Sequence, residues 1–189
     1  NEENIFAHSL PRYLFDRREE YYQKVPLFLR PIYIIFRYFL ERLFFRDLGQ
    51  IDEIWTNSLQ LSKQIQHYTG RESRVIYPCV DTKIFSHDIS PHKENFLIFS
   101  RFRSSLISRE LTGYRSFLTA SDQHLILVYG DKDPDKDELI ELAREYPNIH
   151  PVRLVNNAEL PVYIRGALAT IFIPQNEDFG MVAIESMAC

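Results

Sequence analysis

Short apolar runs alternate along the chain with longer segments in which apolar residues recur every three or four positions. Ile5 to Ala7 is a short apolar segment leading into His8. DEIWTNS reads as a buried strand over Ile54 to Thr56, ending at Asn57-Ser58, where a helix can be capped. LQLSKQIQHYTG has helical periodicity and stops at Gly70, and RVIYPCVD supplies a short strand over Val75 to Tyr77, broken by Pro78. From Thr82 to Glu94 the composition turns polar, which predicts a linker. Beyond it strands and helices alternate. NFLIFS, HLILVYGD, Ile149 to Val155 and ATIFIP read as strands. SRELTGYRSFLTA, PDKDELIELAREY, Glu159 to Ala167 and FGMVAIESMA read as helices. Continuous apolar strands interleaved with amphipathic helices predict α/β organisation with a parallel sheet covered on both faces.

The stretch from Val25 to Leu48 is harder to place. It is dense in aromatics and arginine, and its longest uncharged run, Pro31 to Phe36, is far short of the roughly 20 apolar residues of a membrane span. Helical spacing puts Ile32, Ile35, Phe36, Phe39 and Leu43 broadly on one face. The simpler reading is an amphipathic helix burying that face in the core. The alternative is a membrane-surface helix with Arg30, Arg37, Arg42 and Arg46 facing anionic lipid.

Composition narrows the classes. The 189 residues are enough for one domain or two small ones, and 45% hydrophobic with 25% charged residues is ordinary for a globular chain. A net charge of −4 offers no basic excess for a nucleic-acid partner. Cys79 and Cys189 give neither a disulfide framework nor a zinc spacing, which predicts a reducing, cytoplasmic setting. The sequence starts at Asn1 and ends inside an apolar helical pattern, so we expect an internal piece of a longer protein.

In open parallel sheets ligands sit beyond the carboxyl ends of the strands, which singles out Arg101, Gly130-Asp131 and the segment Gln175 to Gly180. No GxGxxG and no P-loop lysine motif is present, which argues against nicotinamide and P-loop chemistry. Glu177 falls on the loop after ATIFIP, and Glu185 falls in the next helix, roughly 7 to 8 Å along the axis from its start. Between them lie the free N–H groups of a helix start at Phe179, Gly180 and Met181, an arrangement that attracts phosphate. Each carboxylate can accept two hydroxyl hydrogen bonds. Spacing therefore suits a nucleotide sugar, with hydroxyls at one end, a diphosphate in the middle and a ribose at the other. From spacing alone, the simpler reading of the same residues is a solvated loop acid and a first-turn acid favoured by the helix dipole.

NEDFGMVAIESMAC resembles the glutamate-x7-glutamate signature of the family-4 retaining glycosyltransferases, which share the two-domain GT-B architecture. IWTNS, YPCVDTKIF, NFLIFSRF and NNAELPVYIRGALATIFIPQNEDFG resemble further stretches of that family in order and spacing. AHSLPRYLFD is similar to a His-Thr-Pro-x-Arg segment of a mannosyltransferase-like subgroup.

The resemblance implies that residues 1–90 are the C-terminal part of an acceptor-side Rossmann-like domain. It implies that residues 91–189 are the N-terminal part of a truncated donor domain. Glu177 would contact donor-sugar hydroxyls, and Phe179, Gly180 and Met181 would bring backbone amides to the sugar and diphosphate. Glu185 would hold the ribose, and Arg101 would neutralise the diphosphate as it leaves, with His8 facing the transferred sugar and Arg12 lining the acceptor side. Family members usually carry a lysine about five residues after the strand-one arginine. Leu106 stands there in this chain, and Arg103 or Arg109 could supply the charge instead.

The implied reaction is retaining transfer of a hexose, with GDP-mannose as the subgroup's donor, to a glycan or lipid-linked acceptor in polysaccharide biosynthesis. It implies no metal and no cofactor beyond the nucleotide sugar, no nucleic-acid partner, and a cytoplasmic site of action, at the inner face of the membrane if the arginine-rich helix meets lipid. Two other readings stand beside it: a GT-B module that binds nucleotide without chemistry, and a sugar-nucleotide epimerase of the same fold.

Overall fold

A computed structural model of the chain describes residues 3–87, 95–99, 123–130, 136–154, 156–172 and 177–189. The chain divides into two compact units, one of residues Asn1–Cys79 with Asn176–Phe179 and one of Val80–Gln175 with Gly180–Cys189.

The first unit is a three-stranded parallel sheet of order β1-β2-β3, formed by Asn4–Ala7, Glu53–Thr56 and Arg74–Val75. Between β1 and β2 run α1 (Arg18–Lys24), a single 3-10 turn (Leu27–Leu29) and α2 (Arg30–Leu48), and α3 (Leu59–Thr69) joins β2 to β3. The α3 boundaries follow from local chemistry. The Ser58 hydroxyl accepts from the Leu61 N–H at 3.1 Å, and Gly70 ends the helix at φ 71, where a side chain would be strained. The core gathers Leu10, Leu14 and Phe15 after β1 with Leu48, Ile54, Leu61 and Ile65. Arg71 ties the turn after α2 to this unit, donating to the carbonyls of Leu48, Ile51 and Asp52 at 3.0, 2.8 and 3.1 Å.

The face of α2 expected in the core points outward. Ile32, Ile35, Phe36 and Phe39 are more than half exposed, whereas Leu40 and Phe44 pack on the core and Leu48 is buried. The helix carries apolar residues on more than one face, and the sheet takes the aromatic side around Phe44, which stacks edge-on against Phe15 at 5.2 Å.

The second unit is a four-stranded parallel sheet of order β6-β5-β4-β7: β4 is Asn95–Phe99, β5 His124–Tyr129, β6 Ile149–Arg153 and β7 Ala167–Thr170. α4 (Lys136–Glu145) lies between β5 and β6, α5 (Leu160–Gly166) between β6 and β7, and α6 (Met181–Ala188) follows β7. Alternation along each strand builds two linings. Ile98, Leu125, Leu127 and Ile149 pack with Ala143 and Tyr146 on one face. Leu97, Val128, Ile164 and Ala167 pack with Phe85, Leu160 and Val182 on the other. The parallel sheet covered on both faces is therefore present as expected. β7 begins at Ala167, earlier than ATIFIP predicts, because α5 stops at Gly166; the ladder still reaches Ile171, whose N–H donates to Leu97 at 2.8 Å.

Part of the stretch read as linker is fixed to this unit. Asp81 turns the chain by accepting from the N–H groups of Lys83 and Phe85, the Phe85 ring joins the core, and Arg165 reaches the Ile84 carbonyl at 3.4 Å. The helix read in SRELTGYRSFLTA and the turn at Asp131 lie outside the described residues.

Candidate functional site

Within the second sheet β4 pairs with β5 on one side and with β7 on the other, all parallel. The chain leaves β4 toward β5, so the carboxyl ends of β4 and β7 flank the point where connections diverge, the place at which such sheets bind ligands. The segment after β7 runs into Gly180, which adopts φ 87 and ψ 59 and opens α6 at Met181. Gly180 is buried, and its carbonyl accepts from the Ala183 N–H at 3.0 Å, the first hydrogen bond of the helix. Among the described residues no side chain caps this end, the kind of helix start at which an anion can bind. The glycine start expected from FGMVAIESMA is present.

Glu185 lies one turn into α6 and is half-buried. Burial pushes its carboxyl above the usual carboxylate range, and the same cause, with Glu185 itself nearby, raises the Cys189 thiol, while Arg165 lowers it. Water competes less for a partly desolvated carboxylate, which strengthens any hydrogen bond that it accepts.

A family model described as glycosyl transferases group 1 matches residues 82–189. The chain belongs to that family. Its structure is similar to that of a sucrose-phosphate synthase from Thermosynechococcus elongatus, with a TM-score of 0.69 and 21% identity over 98% of this chain and 48% of that one. The likeness shows the fold, and the GT-B class expected from the sequence is the one found. The chain spans about half the length of that synthase. No curated protein matches its sequence.

The remaining site residues of this group 1 member are placed as follows. Arg101 and Arg103 follow β4 directly in the chain but lie outside the described residues, as do Leu106 and Arg109. Glu177 is exposed. Phe179 is half-buried, with its ring 6.1 Å from that of Tyr77. His8 stands just past the carboxyl end of β1 and is exposed, its carbonyl accepting from Asn57 Nδ2 at 3.3 Å and its ring 4.9 Å from Phe6. Arg12 donates through Nη2 to Asp178 Oδ2 at 3.1 Å, an ion pair with Asp178 largely buried.

Two residues of this first-unit cluster escaped the sequence reading. Asp178 was passed over between Glu177 and Phe179, and Tyr77 was read only as the end of a strand. Nothing local marks either one, since each partner is far away in the chain. Two surface cavities, lined by α3 side chains from Leu59 to Tyr68 and by α2 side chains from Tyr38 to Arg46, include none of the candidate site residues. Among the described residues no group of three or more His, Cys, Asp or Glu could hold a metal ion.

Proposed function

We propose that the protein containing this chain is a retaining glycosyltransferase that moves a hexose from a nucleoside diphosphate sugar to an acceptor hydroxyl. The observation that carries the reading is the Gly180 helix start beyond β7, beside the strand that runs into Arg101, in a chain of the group 1 family. The uncapped N–H groups of α6 cradle the diphosphate, and Glu185 accepts the ribose hydroxyls. Arg101, with Arg103 near it in sequence, neutralises the charge that grows on the diphosphate as the glycosidic bond breaks, which acts on the transition state rather than on ground-state binding. Glu177 and His8 hold the oxocarbenium-like sugar while the acceptor oxygen attacks from the face the diphosphate leaves. The glutamates serve binding, with one on the ribose, unlike the carboxylate pair of a glycosidase.

Mannose from GDP-mannose is the first donor to test, on the strength of AHSLPRYLFD alone, and the acceptor is a glycan or a lipid-linked sugar. The full-length protein, assayed with a panel of nucleotide sugars, is expected to release nucleoside diphosphate and form a product of unchanged anomeric configuration. Arg101→Ala and Glu177→Ala should each lower transfer about a hundredfold or more. Wild-type rates in both variants would refute the assignment, and nucleotide binding without product would favour a binding module.

A further inference from the structure

Leu27 and Phe28 of the 3-10 turn are 76% and 78% exposed, and Ile32, Ile35, Phe36 and Phe39 of α2 are 64%, 70%, 57% and 57% exposed. Positions 32, 35, 36 and 39 share one face of the helix, so their side chains form a continuous apolar stripe. Toward the C-terminal end the same side of the helix carries Arg42 and Arg46, both exposed, with the Arg42 guanidinium 5.4 Å over the Tyr38 ring. These residues border a shallow groove of about 670 Å³ lined with Tyr38, Leu43 and Phe45.

Charge tells what kind of partner suits this surface. Between Arg17 and Leu48 seven arginines and lysines stand against four acids, although the chain as a whole carries 22 basic and 26 acidic residues. The apolar stripe therefore lies in a stretch with three more basic than acidic residues, in a chain whose acids otherwise predominate. A second copy of the same face would bring like charges together across a two-fold contact, which argues against self-association. An anionic bilayer complements both features: large apolar side chains enter the headgroup boundary, Tyr38 sits at its level, and the Arg42 stem lies along it with its charge toward phosphate, beside Arg46, which is paired with Asp47 at 2.8 Å. No helix among the described residues is long and apolar enough to cross a membrane, so the contact lies in the interface plane.

We propose that the 3-10 turn Leu27–Leu29 and the outward face of α2 dock the protein onto anionic phospholipid. The proposal stands apart from the transfer reaction, because it invokes none of the donor-site residues. The test is co-sedimentation of the full-length protein with vesicles of phosphatidylglycerol and phosphatidylcholine, compared with phosphatidylcholine alone. Binding to the anionic vesicles alone, weakened by salt, is expected. The triple variant Phe28→Ser, Ile35→Ser, Phe39→Ser should reduce it at least tenfold, and Arg42→Glu with Arg46→Glu should do the same. All five side chains are exposed, and unchanged melting curves would confirm that folding is intact. Equal binding to neutral vesicles, or wild-type binding by both variants, overturns the proposal. So does a dimer that dissociates in the triple variant while vesicles go unbound, or failure of a thiol reagent to label Ile35→Cys in the lipid-free full-length protein, which would mean that its own chain covers the stripe.

Discussion

The Arg12 guanidinium stands 3.1 Å from the Asp178 carboxylate, pairing a residue just after β1 with one 166 positions later. The carboxylate's neighbours in sequence are Glu177 and Phe179, both proposed to meet the donor sugar, so the pair fixes the backbone from which they project. A half-buried, charge-assisted hydrogen bond of this kind couples its partners by about 1 to 2 kcal/mol. A double-mutant cycle of Arg12→Ala and Asp178→Ala, read by denaturant unfolding of the full-length protein, should show that coupling. Strictly additive effects would mean that the two side chains stabilise the structure independently.

Gly180 is the next position to test. At φ 87 any other residue is strained, and alanine there should lower stability by about 1 to 2 kcal/mol. The larger expected effect is on the ligand, because relaxing the strain re-aims the first N–H groups of α6. Calorimetric titration with nucleoside diphosphate should therefore show a greater loss for Gly180→Ala than the shift in melting temperature predicts.

Glu185 should leave a signature in pH. Its folded carboxyl titrates above the ordinary range because burial penalises the charge. The sign follows directly: the stabilising contribution of the protonated form is complete below the unfolded pKa and is lost as pH rises through the higher folded value. Glu185→Gln should then be at least as stable as wild type at neutral pH, with the benefit vanishing in acid. Nucleotide binding should move the other way. The proposed ribose contact needs the ionised carboxylate, so under that reading affinity should fall on acidification at a pH above that of an unshifted glutamate, and Glu185→Gln should weaken it roughly tenfold or more at neutral pH. An unaltered affinity profile in the variant would detach Glu185 from the ribose.

The cap of α3 offers a control remote from the donor chemistry. Ser58→Ala removes the acceptor for the Leu61 N–H and should cost about 1 kcal/mol in unfolding experiments, with transfer activity retained in the folded protein. A loss of activity without loss of stability would give Ser58 a role that its hydrogen bonds do not show.

How much of this was legible in the sequence depends on the range of the interaction involved. Strand β2, the Ser58 cap, the Gly70 stop and the Gly180 helix start are set by neighbours within a few positions, so the residues announce them. α1 went unread because REEYYQK has no apolar period; it is held by pairs one turn apart, with Lys24 2.8 Å from Glu20. The outward face of α2 was misjudged because the helix has two apolar sides, and only the packing of Phe15, Leu48 and Leu61 decides which is covered. The partners of Arg12 and Phe179 depend on how the chain returns after β7, which periodicity does not encode.

The alternation in β5 carries a last consequence. Leu125 and Leu127 look one way and Ile126 and Val128 the other, toward cores fitted by different helices. Deleting one residue inside that strand would exchange the two sets beyond the cut, offering each helix the side chains shaped for its opposite number. Such a deletion should be far more damaging than replacing any one of these residues by alanine, since it mismatches both layers at once.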